Sequence, residues 1–328
     1  MVVQLARLLH ERGWRVGVAA DGGDLEDSLP TGLSRYRIAG HKMTPAQIRR
    51  IVVRDGYAVV HAHQRGVALR ARAGLLGARI PVVEHVHNTF LPVSRKFLSF
   101  RGDVVVACGS AIGAMVVHDY GRPADRVRTI RNATAAPEPQ PDLGWRADGR
   151  TQLLAIGRLA EQKDPLRALD VISALERTAP GQFFLRWAGT GPLADRVAAE
   201  VRRRALPVEL LGQVASGPAL LPNADLLLLT SKWEGLPLVL LEAAAAGVPC
   251  VAPNIGSCSE VIHDRENGIL FDPTSRPEEI AAAIVEASAH RETWSLSARQ
   301  RYEEDFTEVR FIEEIEQAYE DARNQYRG

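Results

Sequence analysis

The chain is poor in cysteine. Cys108, Cys250 and Cys258 are the only three in 328 residues, and no two stand at C-x-x-C spacing. They read as buried or free thiols in a reducing compartment rather than as a disulfide framework, so a cytoplasmic location is expected. No apolar run approaches the roughly 20 residues of a membrane-spanning helix. The opening MVVQLARLLHERGW carries charges throughout and reads as an amphipathic helix, not as a signal peptide. Repeats of solenoid period and low-complexity tails are also missing. Net charge is absent as well, with 40 basic against 40 acidic side chains. The balance hides an asymmetry: residues 1–148 hold 21 basic and 13 acidic, the remainder 19 and 27. A basic half fits an anionic partner or a membrane surface, and fits an ordinary solvated face equally well.

What the chain does have is alternation. Apolar runs of strand length, such as WRVGVAA (14–20), YAVVHAH (57–63), IPVVEHVHN (80–88), DVVVACG (103–109) and RVRTIRN (126–132), are separated by helical patterns near 1–12, 44–54, 65–77 and from Ser110, read as an N-cap. ATAAPEPQPDLGWRADG follows, rich in Pro and Gly, and reads as an interdomain linker over 136–149. The pattern then restarts with TQLLAIG, a helix over 164–178, QFFLRWAG, a helix over 192–205, VELLG and ADLLLLT. Strand and helix in alternation imply parallel sheets covered on both faces. The expected fold class is α/β, with two doubly wound, Rossmann-like domains, 1–135 and 150–310, and a terminal helix over 311–328 packing back across them. Ligands in such folds sit at the carboxyl ends of strands, here expected in the cleft between domains.

Glu234 and Glu242 lie eight positions apart in TSKWEGLPLVLLEAAAAGVPCVAP. Two glutamates at that spacing are common on any helix. The context is more particular: a strand, a turn of Trp233 to Leu236, Pro237 near the first helical position, strong helix formers, and Gly247 to stop them. A helix N-terminus behind a strand offers free N–H groups to an anion, and a carboxylate at its mouth suits sugar hydroxyls. GRLAEQKDPLRAL (157–169) places Arg158 and Lys163 beside a glycine turn at another strand end, where a fork and a point charge can share a diphosphate. Asp164-Pro165 reads there as N-cap and first helical residue. The plainer reading is two solvated cations.

Two further patterns compete. His61 and His63 close one strand and His85 and His87 another, each pair on one face. Four histidines permit a metal, but only Glu84 joins them at ligand spacing, so a polar wall is preferred, with His87 nearest the following loop. AGTGPLA (188–194) matches G-x-G-x-x-A, and Glu209 lies 20 residues past Gly189. Gly189, Gly191 and Glu209 would make a dinucleotide site and an NAD(P)-linked oxidoreductase. Pro192 inside the loop and its place after the domain's second strand weaken that reading.

Taken in order, GRLAEQKDPLRAL, AGTGPLADRV, SKWEGLPLVLLEAAAAGVPCVAPNIGSCSEVI and ENGILFDP resemble glycosyltransferase family 4, and HAHQRGVALRARAGLLGARIPVVEHVHNTF resembles that family's first domain. The resemblance implies a GT-B fold and a retaining transferase that moves a sugar from a nucleotide diphosphate to a hydroxyl acceptor in polysaccharide or glycoconjugate synthesis. It assigns the leaving diphosphate to Arg158 and Lys163, donor-sugar hydroxyls to Glu234, and sugar and phosphate to the backbone of Gly235, Leu236 and Pro237. Glu242 falls on the nucleotide ribose, Gly212 and Gln213 near the base, and His87 near the reacting end of the donor sugar. Retention is expected through same-face attack on an oxocarbenium-like state, with the leaving phosphate helping to deprotonate the acceptor. No metal and no other cofactor is implied. Family members open with a strand and a Gly-Gly turn, whereas this chain opens in the following helix. The first domain is therefore expected to lack its opening strand, and a catalytically impaired nucleotide-sugar binder of the same fold is the alternative. The acceptor includes lipid-linked ones: Arg65, Arg70, Arg72, Arg95 and Arg101 suit a lipid diphosphate at the inner membrane face. VSRKFLSFRG (93–102) alternates basic and apolar residues, a pattern for a bilayer surface as well as for an ordinary surface helix. No nucleic-acid partner is expected.

Overall fold

The computed structural model describes residues 1–21, 28–38, 43–90, 96–138 and 141–326. Arg95 and the first part of segment 93–102 lie outside them. The chain divides into two compact units, Met1–Asn132 with Glu308–Gly328, and Ala133–Thr307.

The N-terminal unit runs α1 (Val2–Glu11), β1 (Gly17–Ala20), β2 (Ser34–Arg37), α2 (Pro45–Arg54), β3 (Val60–Ala62), α3 (Arg65–Gly74), β4 (Val82–Val86), β5 (Val104–Ala107), α4 (Ser110–His118) and β6 (Val127–Thr129). Local chemistry sets these boundaries. Thr44 and Gln47 form a reciprocal capping box ahead of Pro45, so α2 starts with its first N–H groups satisfied. Gly109 rather than Ser110 takes the N-cap place of α4, because the chain is still extended at Gly109 and Ser110 is already helical. Strands β4 and β5 are buried along their whole length, which explains their unbroken valines.

Strands β3-β4-β5-β6 form one parallel sheet in that order, while β1 and β2 pair with each other in a separate two-stranded sheet. β2 is invisible in the sequence pattern: SRYR has no apolar run and is mostly exposed. A pair of tyrosines links the small sheet to the start of β3. The Tyr57 hydroxyl packs on Gly17 so closely that a Cβ there would collide with it. It meets the Tyr36 hydroxyl at 2.9 Å, and Tyr36 donates to Asp55 at 2.7 Å.

The other unit runs β7 (Thr151–Ile156), α5 (Pro165–Thr178), β8 (Phe183–Ala188), α6 (Ala194–Arg204), β9 (Val208–Gly212), β10 (Leu226–Leu228), α7 (Leu238–Ala245), β11 (Cys250–Pro253), β12 (Gly268–Phe271), α8 (Pro277–Ala289) and α9 (Arg291–Asp305). Its six strands make one continuous parallel sheet, β12-β11-β10-β7-β8-β9. Leu169 and Ile172 of α5 are fully buried among Leu153, Leu185 and Ile284. Cutting either to alanine would cost about 2–5 kcal/mol. The segment before β7 is fastened to the unit, since Arg146 and Arg291 both pair with the buried Asp225, at 2.8 and 2.5 Å. The terminal helix α10 (Glu308–Asn324) packs on α1, β4 and β5 of the N-terminal unit. Among the described residues no helix is long and apolar enough to cross a membrane.

Candidate functional site

In the C-terminal unit the carboxyl ends of β7, β8 and β9 meet through a row of glycines. The Gly157 N–H donates to Ala188 and the Gly189 N–H to Gly212. Gly157, Gly189 and Gly212 all have positive φ. A Cβ on Gly189 would strike the Gly157 carbonyl, and one on Gly191 would strike Leu159. The glycines of AGTGPLA are thus explained by two loops packing backbone to backbone. Glu209 is occupied by Arg186 at 2.9 Å. The protein comparisons below do not favour the dinucleotide reading.

Beyond β7 the chain turns through Gly157 into the loop holding Arg158 and Lys163. Asp164 occupies the N-cap place of α5 in a left-handed conformation, φ 45° and ψ 58°, but its side chain makes no cap bond. Thr230 instead secures the turn by donating to the Lys163 and Asp164 carbonyls. Gln162 ties the same loop to the next one, accepting from Lys232 N–H through its backbone and donating from its side chain to the Trp233 carbonyl at 3.0 Å. These ties bring Lys163 Nζ to 2.6 Å from Glu234 Oε1, with both side chains largely shielded from water. Arg158 stays exposed, without a side-chain partner among the described residues.

Glu234, Gly235, Leu236 and Pro237 form the buried turn into α7, whose N-cap is Pro237. The Leu236 side chain is core. Gly247, at φ 66°, ends the helix as the sequence indicates. Glu242 lies half-buried on α7, and burial pushes its carboxyl up to about 7, with Lys163 pulling the other way. Lys163 thus pairs with Glu234 and also pulls on Glu242. Gln213 is exposed just past β9.

Sequence reasoning missed one component. Gly256, at φ 53°, lies against the Glu234 and Gly235 carbonyls, where a Cβ would collide, and the Ser257 N–H donates to Gly235 at 2.8 Å. The signal was the glycine in NIGS directly after a strand. Thr230 and Gln162 were also missed, since polar side chains bonding loop backbones carry no spacing signature.

His87 belongs to the N-terminal unit, just past β4. Its Nε2 lies 2.8 Å from His63 Nδ1, and His61 Nδ1 lies 2.7 Å from the Tyr319 hydroxyl of α10. The four rings form a stacked grid, His61 on His63 at 4.7 Å and His85 on His87 at 4.2 Å. Burial lowers all four, His61 to about 3 and His87 to about 4, so the grid is neutral at ordinary pH. Nitrogens of His61, His63 and His85 come within 4.8 Å of one another. The His61 and His63 planes are nevertheless 2° from parallel, so an ion could lie in the plane of only one of them.

Comparison with known proteins places the chain in a family. Residues 150–290 match the family model for glycosyl transferases group 1, and residues 1–135 match the model for Glycosyltransferase Family 4. The two matches take up most of the chain, which belongs to glycosyltransferase family 4. Glycogen synthase of Mycobacterium tuberculosis is 29% identical over 269 residues, covering 76% of this chain and 65% of the relative. The match thus spans just under two thirds of that relative's length. An Escherichia coli UDP-Gal:alpha-D-GlcNAc-diphosphoundecaprenol alpha-1,3-galactosyltransferase is 23% identical over 305 residues, covering 83% and 77%. Among solved structures, Anabaena HepE in complex with UDP superposes with a TM-score of 0.80 at 22% identity, covering 97% of this chain and 96% of that one. The fold is the GT-B type, built on two Rossmann-like units.

Proposed function

We propose that the chain transfers a sugar, with retention, from a uridine diphosphate sugar to a hydroxyl acceptor carried on a lipid diphosphate at the inner membrane face. The observation that carries the reading is the Lys163–Glu234 pair beside Glu242 at the carboxyl end of a parallel sheet. A diphosphate entering this site competes with Glu234 for Lys163, and Arg158 stands exposed to join it. Charge developing on the leaving phosphate is met by two fixed cations. Glu234, released from an exclusive pairing, then accepts from sugar hydroxyls. Glu242, once ionised, accepts from the ribose, and the backbone of the Gly235–Pro237 turn meets phosphate and sugar. Gly212 and Gln213 take the base side. His87 is given the role toward the reacting sugar that the family resemblance implies. Two cations at the diphosphate perform the task a divalent ion has elsewhere, so turnover is expected without added metal. The uridine and the lipid diphosphate are supported by what the Anabaena protein holds and what the E. coli relative is named for.

Calorimetry with UDP, GDP, ADP and dTDP sugars, NADH and NADPH tests the reading. Saturable binding of a UDP sugar, lost in Glu242→Ala, is the expected result. Binding of NAD(P)H alone would overturn it. Binding of the UDP sugar without transfer to any lipid-diphosphate acceptor would leave an impaired binder in its place.

A further inference from the structure

Just past the ends of β3 and β4, two histidines are joined nitrogen to nitrogen. His63 Nδ1 lies 2.8 Å from His87 Nε2. The two rings are 4° from parallel, and their centroids are 5.1 Å apart. That separation is close to the largest that such a contact between two imidazoles allows. The rings therefore lie end to end, nearly in one plane, with the lone pair of one nitrogen facing the N–H of the other. We propose that His63 is a positioning residue for sugar transfer: through this bond it holds His87 in one ring orientation and one neutral tautomer, and leaves His87 Nδ1 to face the donor sugar. The inference rests on the reading that His87 meets the sugar, and it adds a residue to which that reading gives no part.

A neutral imidazole has one proton for two nitrogens, so the bond made by one nitrogen fixes the state of the other. Burial keeps both rings neutral, lowering His63 well below its ordinary value and His87 to about 4. One proton then sits between His63 Nδ1 and His87 Nε2. If Nε2 accepts it, His87 Nδ1 carries a proton. If Nε2 donates, Nδ1 is bare. Turning the His87 ring would break the bond and leave a buried nitrogen unpaired, which is unfavourable.

No other histidine of the grid can take this place. His61 Nδ1 is engaged by the Tyr319 hydroxyl at 2.7 Å, and both His85 nitrogens are buried without a partner. These two rings act through their faces. His61 packs on His63 and His85 on His87, so neither ring of the bonded pair can turn without displacing a neighbour. The bond to His63 is the only hydrogen bond of the His87 ring among the described residues. His87 also lines a cavity of about 280 Å³ with Gln64, Arg65, Asn88 and Phe90, which gives its remaining nitrogen room for a ligand.

Two substitutions separate the bond from mere packing. His63→Phe keeps a flat ring against His61 and removes the nitrogen. His63→Asn gives up the ring and returns an amide near the place of Nδ1. His63→Phe should lower kcat by about tenfold or more, with KM for the UDP sugar within about twofold of the parent. His63→Asn should recover most of that loss. NMR of the chain labelled in its imidazole nitrogens reads the tautomer directly. One tautomer of His87 is expected in the parent and in His63→Asn, and a mixture in His63→Phe, with circular dichroism unchanged throughout. A mixture in the parent, an unchanged kcat in His63→Phe, or equal losses in the two variants would overturn the proposal. So would a parental kcat in His87→Ala, which would take His87 away from the sugar. A parent that holds a single His87 tautomer but transfers no sugar would sink the transferase reading and leave the hold of His63 on His87 standing.

Discussion

Both units are parallel α/β layers, yet they are held together differently. The C-terminal unit joins six strands in one sheet, with a large cluster of buried side chains packed against it. The N-terminal unit has four strands in one sheet and two in another, linked near β3 by hydroxyl contacts of Tyr36 and Tyr57. Its buried polar content also differs. Four neutral histidines and Glu84 lie within or beside its central strands, with Glu84 Oε1 and both His85 nitrogens lacking partners. In the C-terminal unit the buried acidic groups are engaged: Asp225 holds two arginines and Glu234 holds Lys163. The lesson is a division of labour in electrostatics. One unit keeps a charged pair, Lys163 with Glu234, in its candidate site, beside a Glu242 raised to about 7 by burial. The other keeps its strand ends neutral by desolvation.

The comparison breaks most visibly at Glu234. Glu234→Ala should lower transfer by about 10²–10³-fold, in line with loss of one charged transition-state contact. Its melting temperature should fall as well, because the shielded Lys163 loses its counter-charge. Steady-state rates beside a melting curve check this. A variant with unchanged kcat/KM would mean that the charged unit does not hold the sugar.

A smaller and differently signed effect is expected in the N-terminal unit. The folded histidines sit below the ordinary value of about 6.5. Their contribution is therefore full above that pH and is lost as pH falls toward 4, at roughly 1.4 kcal/mol per pH unit for each one that stays neutral. Glu84, raised to about 7 by burial, works the other way and loses stability as pH rises from the usual carboxylate range to 7. Below pH 6 the histidines outnumber it. Hydrogen exchange followed by unit should show the N-terminal strands opening first on acidification, while the six-stranded sheet holds. Simultaneous opening would erase the contrast.

The mildest expected effect concerns Glu242. Its carboxyl, raised to about 7, is protonated at pH 6 and ionised at pH 8. Only the ionised form accepts from both ribose hydroxyls, so UDP affinity should rise several-fold, up to about tenfold, across that interval. Glu242→Gln should flatten the profile. Calorimetric titrations at the two pH values decide it.

Much of this was legible from residues alone. The strand–turn–helix around Glu234, the glycine turn before Lys163 and the stop at Gly247 are local, since each follows from propensity and cap chemistry within a dozen residues. The two histidine pairs were legible for the same reason, because strand periodicity fixes which side chains share a face. Less local features escaped. SRYR became a strand although it lacks an apolar pattern, because pairing with β1 supplies what its composition does not. The glycines of AGTGPLA imitated a dinucleotide loop, and only the collision of a Cβ with the Gly157 carbonyl shows what they are for.

Sequence by itself determined the α/β alternation, the family, and which carboxylates and cations stand at strand ends. Those depend on short-range geometry, which repeats every two or 3.6 residues. Tertiary structure decided that Lys163 meets Glu234 across 71 positions, that Gly256 must be bare, and that four arginines from three separate segments crowd one cavity. Such contacts join residues whose separation along the chain carries no period, so only the packing of the sheet and its loops brings them together.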